Sequence, residues 1–387
     1  MSSLLRSAED FSQKLIEDFH EACRRGDVMK VRELIDAVPV ELRSCYLNFG
    51  SGNFSPLSKA AYNGCLEVVQ ILIAEGAEVN KPDNFGSTPL YRAVECGHLE
   101  VVLKLISFGA DLRTCNYQES GPLICFAAIK GNLTIVQALI ESIPEGAARV
   151  SYVNMADRWG NSALKFAASR GHYPVVQLLI RLGANLSQAD NRDGQTALHW
   201  AAQNGHINIV KALLSAIPEG QGKIDYLKRA DFCGETALHV AAFKGHSEVV
   251  KVLVETISEG PDRIGYVNMA NSRHQGSSTA LHLAAQKHHL GAIETLIAMG
   301  ADVELRDRFG RAALDDASRY GRPEIAQALI RSDVSGFAEA LAMGSGSVVE
   351  ASVASSGAVV ASVVYQSAGP SVYVDPVFGS NQPAYFA

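Results

Sequence analysis

Thr236-Ala237-Leu238-His239-Val240-Ala241-Ala242-Phe243-Lys244-Gly245-His246-Ser247-Glu248-Val249-Val250-Lys251-Val252-Leu253-Val254 carries the instructions for two helices and the turn between them. Thr is a favoured N-cap because its hydroxyl accepts a hydrogen bond from an otherwise unsatisfied N–H of the first turn. The small Ala241-Ala242 pair lets a second helix come close. Gly245 supplies the left-handed residue at which a helix ends. Val249, Val250, Leu253 and Val254 then recur at helical spacing and mark a single apolar stripe.

The same phrase returns along the chain: Ser55-Pro56-Leu57, Thr88-Pro89-Leu90, Ser162-Ala163-Leu164, Thr196-Ala197-Leu198-His199 and Thr279-Ala280-Leu281-His282. Anchored on its first alanine, it gives Ala22, Ala60, Ala93, Ala127, Ala167, Ala201, Ala241, Ala284 and Ala317, at intervals of 38, 33, 34, 40, 34, 40, 43 and 33. Each compact unit leaves through Gly-Ala-Asp/Asn/Glu, as at Gly76-Ala77-Glu78 and Gly183-Ala184-Asn185. It then turns at Asp-x-x-Gly (Asp83 to Gly86, Asp157 to Gly160, Asp231 to Gly234, Asp307 to Gly310), which is β-turn chemistry.

In register and period these units resemble the ankyrin repeat, a β-turn followed by two antiparallel helices. The resemblance implies an all-α ankyrin-repeat solenoid of about nine repeats over residues 16–331, with β-turn fingers. It follows a lead-in over 1–15, and the first repeat (16–50) and ninth (307–331) act as polar caps. A short capping helix is expected over 332–343 and a low-complexity, disordered tail over 344–387, where Ser, Ala, Val and Gly dominate.

Four intervals exceed 34 for one reason. The runs Val38-Pro39…Arg43-Ser44-Cys45-Tyr46, Ile143-Pro144-Glu145-Gly146…Arg149-Val150-Ser151-Tyr152, Ile217-Pro218-Glu219-Gly220…Lys223-Ile224-Asp225-Tyr226 and Ile257-Ser258-Glu259-Gly260…Arg263-Ile264-Gly265-Tyr266 place a basic residue three positions before a Tyr. They read as longer connections in units 1, 4, 6 and 7. In a structural role the basic residue sits at the negative end of the second helix and the Tyr seals the gap between repeats. The alternative is a binding ledge, which that unit order argues against. The fourth unit also lacks Asp-x-x-Gly at Asn116-Tyr117-Gln118-Glu119.

Net charge is −7, and Ser332 to Ala387 contains no Lys or Arg, so the repeats are nearly balanced. That balance points away from a nucleic-acid partner. Seven cysteines without a C-x-x-C pair favour a reducing, cytoplasmic setting over a disulfide framework. The N-terminal residues lack an apolar signal core, and no stretch reads as a membrane span. Nine of the eleven histidines fall in two repeated slots and read as scaffold. His288 stands where the helix-ending Gly is expected. No spacing of His, Cys or carboxylates supports a metal site, a catalytic centre or a cofactor, so the chain is expected not to be an enzyme.

The resemblance places binding on the concave face, at turn tips and exposed first-helix positions. The residues there that stand out are Tyr62, Phe85, Arg158, Trp159, Arg170, Phe232, Phe243, Lys244, Arg308 and Phe309, because aromatic and Arg side chains dominate binding hot spots. Tip aromatics that pack on the neighbouring turn are the competing reading. The expected function is a monomeric scaffold or adaptor for one protein partner. Two alternatives are an inhibitor that masks a target, and an effector of the kind that intracellular bacteria deliver into a host cytosol. The tail could add a strand to a partner, serve as a peptide ligand or act as a secretion signal.

Overall fold

The computed structural model describes residues 13–50, 54–113, 121–272, 277–319, 324–330, 348–353 and 359–364. Among the described residues nine first helices form one layer: α1 (Gln13–Arg25), α4 (Pro56–Tyr62), α6 (Pro89–Cys96), α8 (Leu123–Lys130), α11 (Ala163–Arg170), α13 (Ala197–Gln203), α16 (Ala237–Lys244), α19 (Ala280–Lys287) and α21 (Ala313–Arg319). Each packs on the next in that order. The second layer is α2 (Val28–Asp36), α5 (Leu66–Ala74), α7 (Leu99–Ser107), α9 (Leu133–Glu141), α12 (Tyr173–Arg181), α14 (Ile207–Ser215), α17 (Ser247–Glu255) and α20 (Leu290–Ala298). These also pack in sequence order, and 324–330 is helical after α21.

Capping follows the repeated phrase. Thr88 Oγ1 accepts from Tyr91 N–H, and Thr196, Thr236 and Thr279 form capping boxes with His199, His239 and His282. Ala60, Ala93, Ala127, Ala167, Ala201, Ala241, Ala284 and Ala317 are fully buried, so first helices touch at their smallest side chains. The apolar stripe of each second helix, such as Ile209, Val210, Leu213 and Leu214, is buried beneath them. A buried aliphatic side chain contributes about 1.5–3 kcal/mol, so the stacking of neighbouring units carries the stability.

The four long connections are not loops. They form third helices: α3 (Val40–Asn48), α10 (Ala147–Val153), α15 (Gln221–Leu227) and α18 (Pro261–Val267). Their tyrosines, Tyr46, Tyr152, Tyr226 and Tyr266, are buried as the structural reading expects. Tyr46, Tyr152 and Tyr226 also donate back across the preceding element, to the carbonyls of Leu15, Leu112 and Leu186. The basic residues serve the end of the second helix. Arg149 donates twice to Ile143 O (3.1 and 2.9 Å), Arg263 to Ile257 O (2.7 Å) and Arg43 to Val38 O (3.3 Å). Lys223 departs from this and pairs with Glu219 instead.

Units whose successor leaves through Gly-Ala use a different clamp. Asn48, Asn80, Asn154 and Asn268 donate to the carbonyls of Gly76, Gly109, Gly183 and Gly300. Their Oδ1 atoms accept from Glu78, Asp111, Asn185 and Asp302 N–H. Where the next unit carries a third helix, this position is Arg113, Ser187 or Lys228.

In the tail, Val348–Val353 pairs antiparallel with Val359–Val364, Val348 opposite Val364. The expected helix over 332–343 and the irregular turn at 116–119 lie outside the described residues.

His288 closes α19 at φ 65°, a left-handed position that a side chain occupies at a cost. His288→Gly should raise the urea midpoint, by up to about 1 kcal/mol of stability. Asn268→Ala removes both arms of a clamp and should cost about 1–2 kcal/mol, whereas Lys228→Ala at the equivalent position, with only an exposed pair to Asp262 at 3.7 Å, should change stability by less than about 0.5 kcal/mol. Equal losses for the two would show that the clamp is not the source of the effect.

Candidate protein-binding face

Five of the described fingers are built on one carboxylate each, and that of unit 8 on the Asn271 amide, whose Oδ1 accepts from Ser278 N–H. Asp83, Asp157, Asp231 and Asp307 are buried, and the Oδ1 of each accepts two backbone N–H groups of its own turn, as in Trp159 and Asn161 donating to Asp157 at 2.9 and 2.8 Å. Asp190 accepts three, from Arg192, Asp193 and Gly194. Successive fingers also join directly: Asn191 N–H donates to Trp159 O at 2.8 Å and Phe232 N–H to Asp193 O at 2.7 Å. These acids hold the fingers in shape and leave the residues at i+1 and i+2 outside.

Those tips, with Tyr62 at the end of α4, carry much of the aromatic surface. Phe309 is 60% exposed, Phe232 47%, Tyr62 42% and Phe85 40%. Arg158 lies exposed over the half-buried Trp159 ring at 4.2 Å, and Arg308 over Phe309 at 4.8 Å. Arg170 and Lys244 are exposed at the ends of α11 and α16. Phe243 is half-buried, with Lys287 at 4.7 Å and Lys244 at 5.6 Å from its ring. Phe232 answers to both readings of a tip aromatic. Its ring lies against Gly194, where an added Cβ would meet Cδ1 at 2.6 Å, yet much of it still faces out.

The ten candidates do not gather into one site. Tyr62 and Phe85 flank an N-terminal cluster in which Phe54 lies 6.2 Å from Tyr62 and 6.3 Å from Phe85, with the Arg92 guanidinium 4.8 Å over Phe54. Arg92 is itself held by the buried Asp83 at 2.7 Å. The others are spread over units 5, 7 and 9.

Between fingers and first helices lies a cleft of about 240 Å³, lined among others by Asn161, Lys165, Phe166, Asp190, Arg192 and Trp200. Sequence reasoning missed it. Lys165 occupies the slot of the capping His, and its ammonium reaches across to Asp190 of the next finger and to Asn161. Burial draws the Lys165 ammonium below the ordinary lysine value, against the pull of Asp190. Burial also opposes charge on Asp190, but the bonds from Lys165 and from Asp193 and Arg192 N–H hold its carboxyl below the usual range. The Trp200 ring stands 4.9 Å from Lys165 Nζ. A larger groove of about 510 Å³ lies elsewhere, between α15 and α18, the third helices of adjacent units.

The histidines of the two repeated slots are scaffold, as their spacing indicates. In His199 and His282, Nδ1 accepts from the N-cap N–H of Thr196 and Thr279 and Nε2 donates to the carbonyls of Glu235 and Arg311 in the next finger. His98, His172, His206, His246 and His289 donate to Tyr62, Ile129, Ser169, Gln203 and Phe243 carbonyls of the preceding first helix. Among the described residues no three His, Cys, Asp or Glu side chains group as metal ligands, and no helix is long and apolar enough to cross a membrane.

The family model for ankyrin repeats (three copies) matches residues 19–116, 102–190, 124–221, 183–264 and 264–337. A probable E3 ubiquitin-protein ligase of Oryza sativa subsp. japonica is 32% identical over 200 residues, 43% of this chain and 38% of that protein. An E3 ubiquitin-protein ligase of Arabidopsis thaliana is 32% identical over 186 residues, 43% of this chain and 36% of that protein. A palmitoyltransferase of Naumovozyma castellii is 34% identical over 191 residues, 49% of this chain and 24% of that protein. The chain thus spans well under half the length of these relatives.

Burial lowers the pKa of His20 to about 4, helped by Lys59, and burial lowers that of His239 to about 4. Unfolded, both titrate near 6.5. Between about 6.5 and 4 the unfolded chain therefore holds more protons, and stability is full above that window and lost as pH falls through it. At pH 5 each histidine should cost about 2 kcal/mol relative to pH 7.5. Urea midpoints at the two pH values should show the fall, and His239→Gln should make it shallower. An unchanged difference in that variant would remove His239 from the account.

Proposed function

This chain belongs to the ankyrin-repeat family, and from that premise we propose that it is a non-catalytic scaffold or adaptor that holds one protein partner along the fingers and first helices. One observation carries the reading. Within a shared framework of buried Asp, Ala and His, the positions left facing out are occupied by Tyr62, Phe85, Arg158, Phe232 and Phe309, with Trp159 half-buried beneath Arg158, residue types that supply binding energy rather than fold. The framework uses the slot histidines and the buried finger Asp residues, groups from which catalysis would otherwise be built.

The named relatives are enzymes, and less than half of each aligns with this chain. Their ligase and transferase activities are not carried over; recognition of a partner by the repeats is. Masking a target, whether as a cellular inhibitor or as an effector in a host cytosol, is a use of the same face. A reducing compartment suits seven cysteines that include no C-x-x-C pair.

The test is quantitative co-purification with the full chain and with Trp159→Ala/Phe232→Ala. The partner should drop about tenfold in recovery with the double variant, the loss that about 1.4 kcal/mol produces, while circular dichroism stays unchanged. Recovery at the wild-type level with the double variant would place the binding surface elsewhere.

A further inference from the structure

We propose that the face of units 4 to 8 takes an extended acidic protein segment with apolar side chains at intervals. The inference rests on the protein-binding reading above and names the partner's chemistry.

Charge on these units is sorted by layer. The five first helices α8, α11, α13, α16 and α19 contain no Asp or Glu, and they hold Lys130, Lys165, Arg170, Lys244 and Lys287. Lys165 is committed to Asp190. The other four are exposed and occupy one register position, three residues after the anchor alanine, where the remaining unit has Asn204. They therefore form a row, one cation in each of units 4, 5, 7 and 8.

The fingers beside the row add exposed Arg158, Arg192 and Arg229. Their own acids Asp157, Asp190 and Asp231 are buried and bound to backbone N–H groups. Among the described finger residues of units 5 to 8, Asp193 is the one fully exposed carboxylate. The other layers of the same units are balanced instead: Glu141, Glu248, Glu255 and Glu294 stand with Arg181, Lys211 and Lys251 on second helices, and Asp225 and Asp262 with Arg149, Lys223 and Arg263 on third helices. The near-neutral sum over the repeats hides a first-helix layer in these units whose charged side chains are all cationic.

The row is also lined by rings. Phe166, Trp200 and Phe243 are half-buried beside it, and the Lys244, Lys287 and Lys165 ammonium groups stand 5.6, 4.7 and 4.9 Å from the Phe243 and Trp200 rings. A carboxylate approaching such a cation finds apolar surface next to it, which selects acidic residues interleaved with apolar ones. Helices pack about 8–10 Å apart and an extended chain advances about 3.3 Å per residue, so one acid every third residue matches the row, and about eleven residues span its five units. A nucleic acid fits less well. Its phosphates recur at every nucleotide, against at most one row cation per unit, an Asn204 gap and a carboxylate, Asp193, inside the strip.

Random twelve-residue peptides displayed on phage and selected on the immobilised full chain in about 0.15 M salt, near the physiological ionic strength that screens over about 8 Å, test the inference. Selected peptides should be net acidic with an acid every three or four residues. A synthetic winner should bind Lys130→Glu/Arg170→Glu/Lys244→Glu/Lys287→Glu at least tenfold more weakly, and circular dichroism reports the fold of that variant. Should the reversed variant fail to fold, the corresponding four Gln substitutions serve, with the same loss expected. Neutral or basic winners, acidic winners that survive the reversal, no enrichment at all, or binding of a poly-U 20-mer without any peptide would each overturn the proposal. Non-acidic winners that are lost with Trp159→Ala/Phe232→Ala would leave the protein-binding face standing and remove only its acidic partner.

Discussion

One contact sets the stacking of this molecule: an imidazole lying across the left-handed glycine that ends the preceding first helix. His98, His172, His206, His246 and His289 cover Gly64, Gly131, Gly171, Gly205 and Gly245, where an added Cβ would meet ring atoms at 2.3 to 2.8 Å. Each Nε2 donates to the carbonyl two residues before that glycine, one of the groups a helix C-terminus leaves without a partner. Helix termination and repeat spacing are thus a single interaction. The glycine is required twice, for its φ near 70–80° and for the space above it. Where the second residue is not His the geometry persists: Cys65 Sγ lies 3.1 Å from a Cβ built on Gly26 and 3.7 Å from Arg24 O.

Because that contact and the alanine layer hold the units in register, the remaining inter-unit gap admits two solutions. One is an Asn whose amide bridges the Gly and the third residue of the next exit. The other is a third helix whose Tyr fills the gap and reaches back to a backbone carbonyl. A unit needs Asn only when its successor lacks the Tyr. Asn48, Asn80, Asn154 and Asn268 precede compact exits, while Arg113, Ser187 and Lys228 precede third helices. The choice is made one repeat ahead, which is the nearest-neighbour logic expected of a one-dimensional array.

The sequence displays this framework openly, since the Thr N-caps, the Ala pair, the finger Asp and both His slots recur as letters at a fixed period. The third helices were less legible. Seven-residue segments such as Gln221–Leu227 and Pro261–Val267 hold Gly222 and Gly265 and are too short to show a helical period. Their Tyr and basic residue were visible, and so was the structural role of the Tyr and of Arg43, Arg149 and Arg263, though not of Lys223. The cleft at Trp200 was hidden for another reason. Lys165 replaces the capping His of its own unit but pairs with Asp190 of the next, and only the stacking distance brings those two together. A charged residue in the His slot was the available signal.

The row of Lys130, Arg170, Lys244 and Lys287 was equally present in the letters and equally easy to pass over, because total charge says nothing about its placement. The framework explains why cations can collect there. A first helix is pinned on both sides by alanine contacts and below by its second helix, so the position three residues after the anchor alanine is left to solvent. It also lies in the last turn, where the helix dipole favours a positive charge. The same physics tolerates Asn204 in that row and Asn63 and Cys96 in units 2 and 3, so the dipole permits the cations without demanding them. An acid-free run of five first helices asks more than helix stability does. Repulsion among like charges along one face is a cost to folding, and a partner bearing the opposite charge turns that cost into affinity.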